Sequence, residues 1–237
     1  MLESLRDRLE MMIPPLPGQV PELVMRGKEL VVLLHGLWRS PRAMAPLQRA
    51  LAAAGFSTLN IPYPSFSKDL TDISEVVRKC VNECAGEFEK FHFVTHSLGG
   101  IVARFVIDGD LDCRISSLVM LAPPSQGSDV VEWAGESLPL RLFLGPAGTS
   151  LTVNNSVENF PFAQTGPEGV RGCAIMGDKP AIPGLQWLLG DSNDGIVTVE
   201  GGRLPWLEEF HVVPGDHTYL MMREDVQELT LAFLGSD

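Results

Sequence analysis

The feature that most constrains this chain is a rhythm: short apolar runs alternate with stretches of helical spacing. "ELVVLLHG" (29–36) is a Leu- and Val-rich run closed by glycine, the pattern of a strand buried on both faces. "SPRAMAPLQRALAAAG" (40–55) follows as a helix, with Ser40 as N-cap, Pro41 in the first turn and Gly55 past the end. "FSTLNIPYPS" (56–65) reads as a second strand closed by prolines. Leu70, Ile73, Val76, Val77, Cys80, Val81, Cys84 and Phe88 then recur at helical spacing. "FHFVTHS" (91–97) is a third strand, followed by a helix over 99–107. "ISSLVMLAPPS" (115–125), "VRGCAIMGD" (170–178) and "EEFHVVPGD" (208–216) are three more strands, and 219–234 closes the chain as an amphipathic helix. Such alternation builds a mostly parallel sheet of about six strands flanked by helices, joined by right-handed crossovers. The expected fold is therefore α/β, as one domain over 1–237. The rhythm breaks once, over about 124–169, where Gly, Pro, Ser and Asn collect around "LPLRLFL". A connection that long is read as a lid-like insertion.

Composition removes several function classes. A net charge of −12 without a Lys/Arg cluster argues against nucleic acid, whose phosphates need clustered cations. No apolar run reaches the roughly 18 residues of a membrane span. The first residues, "MLESLRDRLEMMIPPLPG", mix acids and bases and lack the apolar core of a secretory signal. Leu2, Leu5, Leu9 and Met12 mark one face of a short helix expected to pack on the sheet. The chain is thus expected to be soluble and cytoplasmic, with no stable membrane insertion; its oligomeric state is not legible. Four cysteines are too few for a disulfide scaffold, and Cys80 and Cys84, one helical turn apart, read as core.

The chemistry concentrates in "VTHSLGG" (94–100). Ser97 falls at a tight strand-to-helix turn, where a hydroxyl projects above the sheet beside the N–H donors of a helix N-terminus. Thr95-His96-Ser97-Leu98-Gly99 resembles the nucleophile elbow of the α/β-hydrolases, specifically lipase-like esterases, with Thr95 where the family pattern G-x-S-x-G has its first glycine. "LLHGLWRS" resembles the oxyanion loop of lipases at His35-Gly36-Leu37. The resemblance implies an oxyanion hole from the amides of Leu37 and Leu98.

"SNDGIVTV" and "VVPGDHTYLM" complete the family's chain order of Ser, then Asp, then His. The resemblance implies Ser97 as nucleophile, His217 as base and Asp194 as the acid that orients it, with no metal or organic cofactor. Asp191 is the alternative acid. Asp216 adjoins His217 and is poorly placed to orient it. His96 is expected to point away from the serine, and His92 and His211 to be structural. Leu138, Leu140, Leu142, Phe143 and Leu144 line an acyl pocket or merely pin the insertion; of these Leu142 and Phe143, with Trp38, are the candidate substrate contacts. The implied partner is a small-molecule or lipid-like ester. Thioester hydrolysis or acyl transfer on the same triad stays open, as does a hydrolase-fold protein turned binding module.

Overall fold

The computed structural model describes residues 18–152, 160–181, 189–190 and 192–236. The N-terminal helical pattern over 2–12 and the alternative acid Asp191 lie outside the described residues. A seven-stranded sheet forms the centre: β1 (Glu22–Val24), β2 (Glu29–Leu34), β3 (Ser57–Ile61), β4 (Lys90–His96), β5 (Ile115–Leu121), β6 (Arg171–Gly177) and β7 (Glu209–Val213). Their order is β1-β3-β2-β4-β5-β6-β7, all parallel except β1, which runs antiparallel to β3. The six strands expected from the sequence are thus joined by a seventh. β1 is three residues long and mostly exposed, so neither an apolar run nor alternation marks it.

β2 shows how sequence becomes layers. Leu30, Val32 and Leu34 pack on one face of the sheet, with Ile73 and Val77 of α2 (Leu70–Asn82) and Ile101 and Val102 of α3 (Leu98–Ile107). Val31 and Leu33 pack on the other, with Leu47 and Leu51 of α1 (Ala45–Ala53) and Val226 and Phe233 of α6 (Glu224–Leu234). Period-two alternation in an all-apolar run thereby feeds two separate cores. The helix expected to run to Phe88 ends earlier, because a run of turns takes over after Asn82. Cys84 and Phe88 still reach the core, Cys84 with its half-buried neighbour Cys80 packed against it. Ser40 precedes a 3-10 turn (Pro41–Met44) rather than the α-helix, and its hydroxyl makes no capping bond.

Between β5 and β6 the described residues form two helices, α4 (Asp129–Gly135) and α5 (Leu138–Thr149), the second broken at Gly145 and Pro146. The connection is tied to the body at both ends. Ser128 Oγ donates to the Ile196 carbonyl at 2.6 Å, and the buried Arg104 of α3 donates from Nε to the Pro161 carbonyl at 2.6 Å. Burial lowers the Arg104 pKa to about 10, so the guanidinium stays charged at neutral pH. No helix among the described residues is long and apolar enough to cross a membrane.

The strand order fixes where a ligand can sit. From β2 the chain moves outward to β3, then returns across β2 to β4, so the order reverses between β2 and β4. In open parallel sheets the crevice lies outside the carboxyl ends at that switch point. Here those ends carry His35-Gly36-Leu37 and Ser97.

Candidate active site

Ser97 occupies the single residue between β4 and α3. Its backbone lies at φ 53°, ψ −121°, a conformation costly for a residue with a Cβ, and the backbone bonds on either side hold it there. Its N–H donates to the Leu121 carbonyl at 2.8 Å, its carbonyl accepts from Gly100, and the following helix begins at Leu98. The glycine at 99 answers to space: a Cβ there would stand 2.6 Å from the Leu34 carbonyl oxygen and 2.9 Å from that of His35. Thr95, at the family's first glycine, is accommodated in the strand, where its hydroxyl donates to the Val119 carbonyl at 3.3 Å.

Three distant segments meet at this serine. Ser97 Oγ lies 2.9 Å from His217 Nε2, and His217 Nδ1 lies 2.7 Å from Asp194 Oδ2. A carboxylate oxygen only accepts, so Nδ1 is the donor of that pair and Nε2 is the ring nitrogen that faces the serine hydroxyl. Asp194 is placed by its own turn within the long β6–β7 connection: Oδ1 accepts the N–H groups of Ile196 at 2.9 Å and Val197 at 2.8 Å. Backbone bonds add to the hold, since the His217 N–H donates to the Asp194 carbonyl at 3.0 Å. All three groups are largely buried, with Ser97 7%, His217 9% and Asp194 2% exposed.

The other candidates fall elsewhere. Asp216 spends Oδ1 on the N–H groups of Thr218 and Tyr219. His96 lines the same cavity as Ser97 and donates from Nε2 to the His217 carbonyl at 2.8 Å. Burial first, and the nearby His217 second, hold its pKa well below the ordinary histidine value. His92 is buried and His211 pairs with Glu209 at 2.7 Å. The buried His35 ring stacks on Tyr63 with centroids 4.1 Å apart, its carbonyl accepts from the Tyr63 hydroxyl, and burial lowers its pKa to about 4. Left-handed backbone in this loop falls on Trp38 (φ 57°) rather than on Gly36. Gly36 instead makes room, because a Cβ there would meet His96 Nδ1 at 3.0 Å and the Ser97 Cβ at 3.2 Å.

Above the serine opens a cavity of about 500 Å³. Leu37, Trp38, Val131, Leu144, Leu151 and Ile196 are among its walls, and Trp38 stacks on Phe66 with centroids 4.4 Å apart. Leu142 is not among them: it is 74% exposed, because two residues along a helix turn a side chain by about 200° away from Leu144. The side chains of Leu140 and Phe143 lie outside the described residues. Two residues that the sequence reading passed over matter here. Arg39 lines the cavity beside Trp38, and Arg104 anchors the return of the α4–α5 connection. Each had a signal: an arginine directly after the loop motif, and an arginine inside the apolar run "IVARFV". Among the described residues, Cys173, Glu209 and His211 bring possible metal ligands within 4.8 Å of one another. They sit on β6 and β7, apart from the cavity walls, and burial pushes the Cys173 thiol up to about 12.

Residues 31–228 match the alpha/beta hydrolase family. No curated protein matches the sequence. Among solved structures, the mature lipase BlEst2 of Bacillus licheniformis superposes with a TM-score of 0.74 at 19% identity, covering 92% of this chain and 99% of that one. A metagenomic carboxyl esterase, MGS0156, gives 0.62 at 20% identity, covering 86% and 67%. Esterase B of Lactobacillus rhamnosis gives 0.61 at 12% identity, covering 99% and 92%. At these identities the likeness is one of fold.

Proposed function

The chain belongs to the alpha/beta hydrolase family, and from that premise we propose that it is a serine hydrolase of carboxylic esters with apolar acyl groups. The observation that carries the reading is the continuous relay Ser97–His217–Asp194, with contacts of 2.9 and 2.7 Å, opening onto a largely apolar cavity. The Ser97 hydroxyl gives its proton to His217 Nε2 as Oγ bonds to the ester carbonyl carbon. Asp194 holds Nδ1–H in place and stabilises the imidazolium that forms. The amides of Leu37 and Leu98 receive the oxyanion, the second being the first N–H of α3 and so one of the donors a helix leaves unpaired within itself. The carbonyl–alcohol bond then breaks, and the departing oxygen takes the proton from Nε2. Water repeats the sequence on the acyl-serine, releasing the acid and restoring Ser97.

The α4–α5 connection acts as a cap over the acyl portion, with Leu144 and Leu151 facing it. A cavity of this size lies within the range of small-molecule sites, roughly 300–1,000 Å³. The names of the similar folds, a lipase and two esterases, agree with this chemistry. The test is hydrolysis of p-nitrophenyl esters from acetate to laurate by the wild type and by Ser97→Ala. Turnover that survives in the variant at wild-type rate removes Ser97 from the mechanism. A folded wild type inert toward every ester would favour a binding protein on the same fold.

A further inference from the structure

The cavity walls are aliphatic, aromatic, hydroxyl or imidazole with one exception. Among the described lining residues, Arg39 alone carries a permanent charge. It does so in a chain with 18 basic against 30 acidic residues, so a cation at this spot runs against the overall balance. Its place is fixed by the loop that also carries Leu37: the Arg39 N–H donates to the Gly36 carbonyl at 3.2 Å, closing a turn with Trp38 in the left-handed region. Arg39 is half-buried, and a guanidinium taken partly out of water gains most from a ligand that supplies negative charge and acceptors.

The groups that face it locate it on one wall. Tyr219 and Asp216, from the loop that carries His217, lie within electrostatic reach of Arg39, as does His96 beside Ser97. Asp216 already serves the Thr218 and Tyr219 N–H groups through Oδ1. Arg39, His96, His217 and Thr218 all line the cavity, and the His96 ring stands 5.0 Å from that of His217, which sets Arg39 on the His217 side. The leaving oxygen collects its proton from His217 Nε2, so the alcohol half of the ester lies along that side, with the acyl half toward Leu144 and Leu151. We infer that Arg39 forms an anion subsite for the alcohol half, making esters whose alcohol carries a carboxylate or phosphate the preferred substrates. The guanidinium fork matches either group, with donors in one plane.

This inference rests on the serine-esterase reading, and the experiment separates the two. Three esters with phenolic leaving groups are compared, 4-acetoxybenzoate, 4-acetoxyphenyl phosphate and the neutral 4-acetoxybenzamide, on wild type, Arg39→Gln, Arg39→Lys and Ser97→Ala. The quantity read is the ratio of kcat/KM for each anionic ester over the neutral one. Wild type should favour at least one anion, and Arg39→Gln should lower that ratio by about tenfold to a hundredfold, the range of a charge-assisted hydrogen bond. Arg39→Lys should restore part of it, and the larger of the two anionic ratios identifies carboxylate or phosphate as the group bound. A ratio unchanged in Arg39→Gln, however far both rates fall, makes Arg39 a structural residue and overturns the inference while leaving the esterase reading standing. So does a wild type that favours the neutral ester. Hydrolysis of none of the three, by a protein equally inert toward the p-nitrophenyl series, overturns both.

Discussion

Replacing Asp194 by Asn tests the relay at its least visible point. Oδ1 of Asp194 accepts two backbone N–H groups, from Ile196 and Val197, and a side-chain amide can satisfy both only with its oxygen at that position. The NH2 group must then occupy the place of Oδ2, 2.7 Å from His217 Nδ1. An NH2 group only donates, so it forces Nδ1 to accept and moves the ring proton to Nε2, where it faces Ser97 Oγ. The base is then in the wrong tautomer, and the imidazolium has lost its carboxylate. A loss of about 10⁴-fold in kcat is expected, or about 5 kcal/mol at 1.36 kcal/mol per tenfold. Because the substitution is isosteric and keeps both turn bonds, the protein should stay folded. The assay is kcat on a p-nitrophenyl ester, alongside thermal unfolding of the same preparation. A loss smaller than tenfold in a folded variant would refute the tautomer argument, and a full loss in Asp191→Asn instead would transfer the role to that acid.

Other expectations follow from single contacts. Gly99→Ala puts a methyl 2.6 Å from the Leu34 carbonyl oxygen, backbone that cannot swing aside, so denaturant unfolding should show about 1–3 kcal/mol of lost stability with the serine displaced. Stability at Gly99→Ala equal to wild type would mean that the elbow yields freely. Leu144→Trp should shift the acyl preference toward shorter chains, whereas Leu142→Trp, on the exposed side of the same helix, should not; equal shifts would place the acyl site elsewhere. His35 and His96 both have folded pKa values below their unfolded value of 6.5, so on acidification the unfolded chain takes up protons that the folded one refuses. Stability should therefore fall as pH drops below about 6.5, by about 1.4 kcal/mol per pH unit for each histidine. Urea unfolding at several pH values checks this: His96→Gln, which keeps a donor for the His217 carbonyl, should roughly halve the slope, and a flat profile contradicts buried neutral histidines.

The sheet and the site were legible to very different depths. β2 could be read because a parallel strand buried on both faces is a nearly unbroken apolar run, and 29–34 shows its two-sided burial in composition alone. β3, β4 and β7 mix polar with apolar residues and showed themselves by shorter runs bounded by turn residues. β1 could not be read, since its three residues are mostly exposed and take strand form by pairing with β3 at the edge of the sheet. The serine turn was visible because strand, Ser and Gly are adjacent in sequence. Asp194 required the order of motifs, because the turn that aims its carboxylate sits in the middle of a connection rather than at a strand end. Leu142 was misplaced because an apolar cluster says that some residues are buried, while only the helix phase, set by what it packs on, says which. Arg39 was missed for a related reason: its meaning depends on a loop 177 residues later in the chain, at Asp216, folding beside it.

The central claim is that Ser97 is a nucleophile activated by His217. It is tested most directly by treating the folded protein with a fluorophosphonate and locating the adduct by peptide mass mapping. One adduct on Ser97, absent from Ser97→Ala and formed far more slowly in Asp194→Asn, is the expected result. A folded wild type that remains unmodified, or one modified at another residue at the same rate in Ser97→Ala, would contradict it.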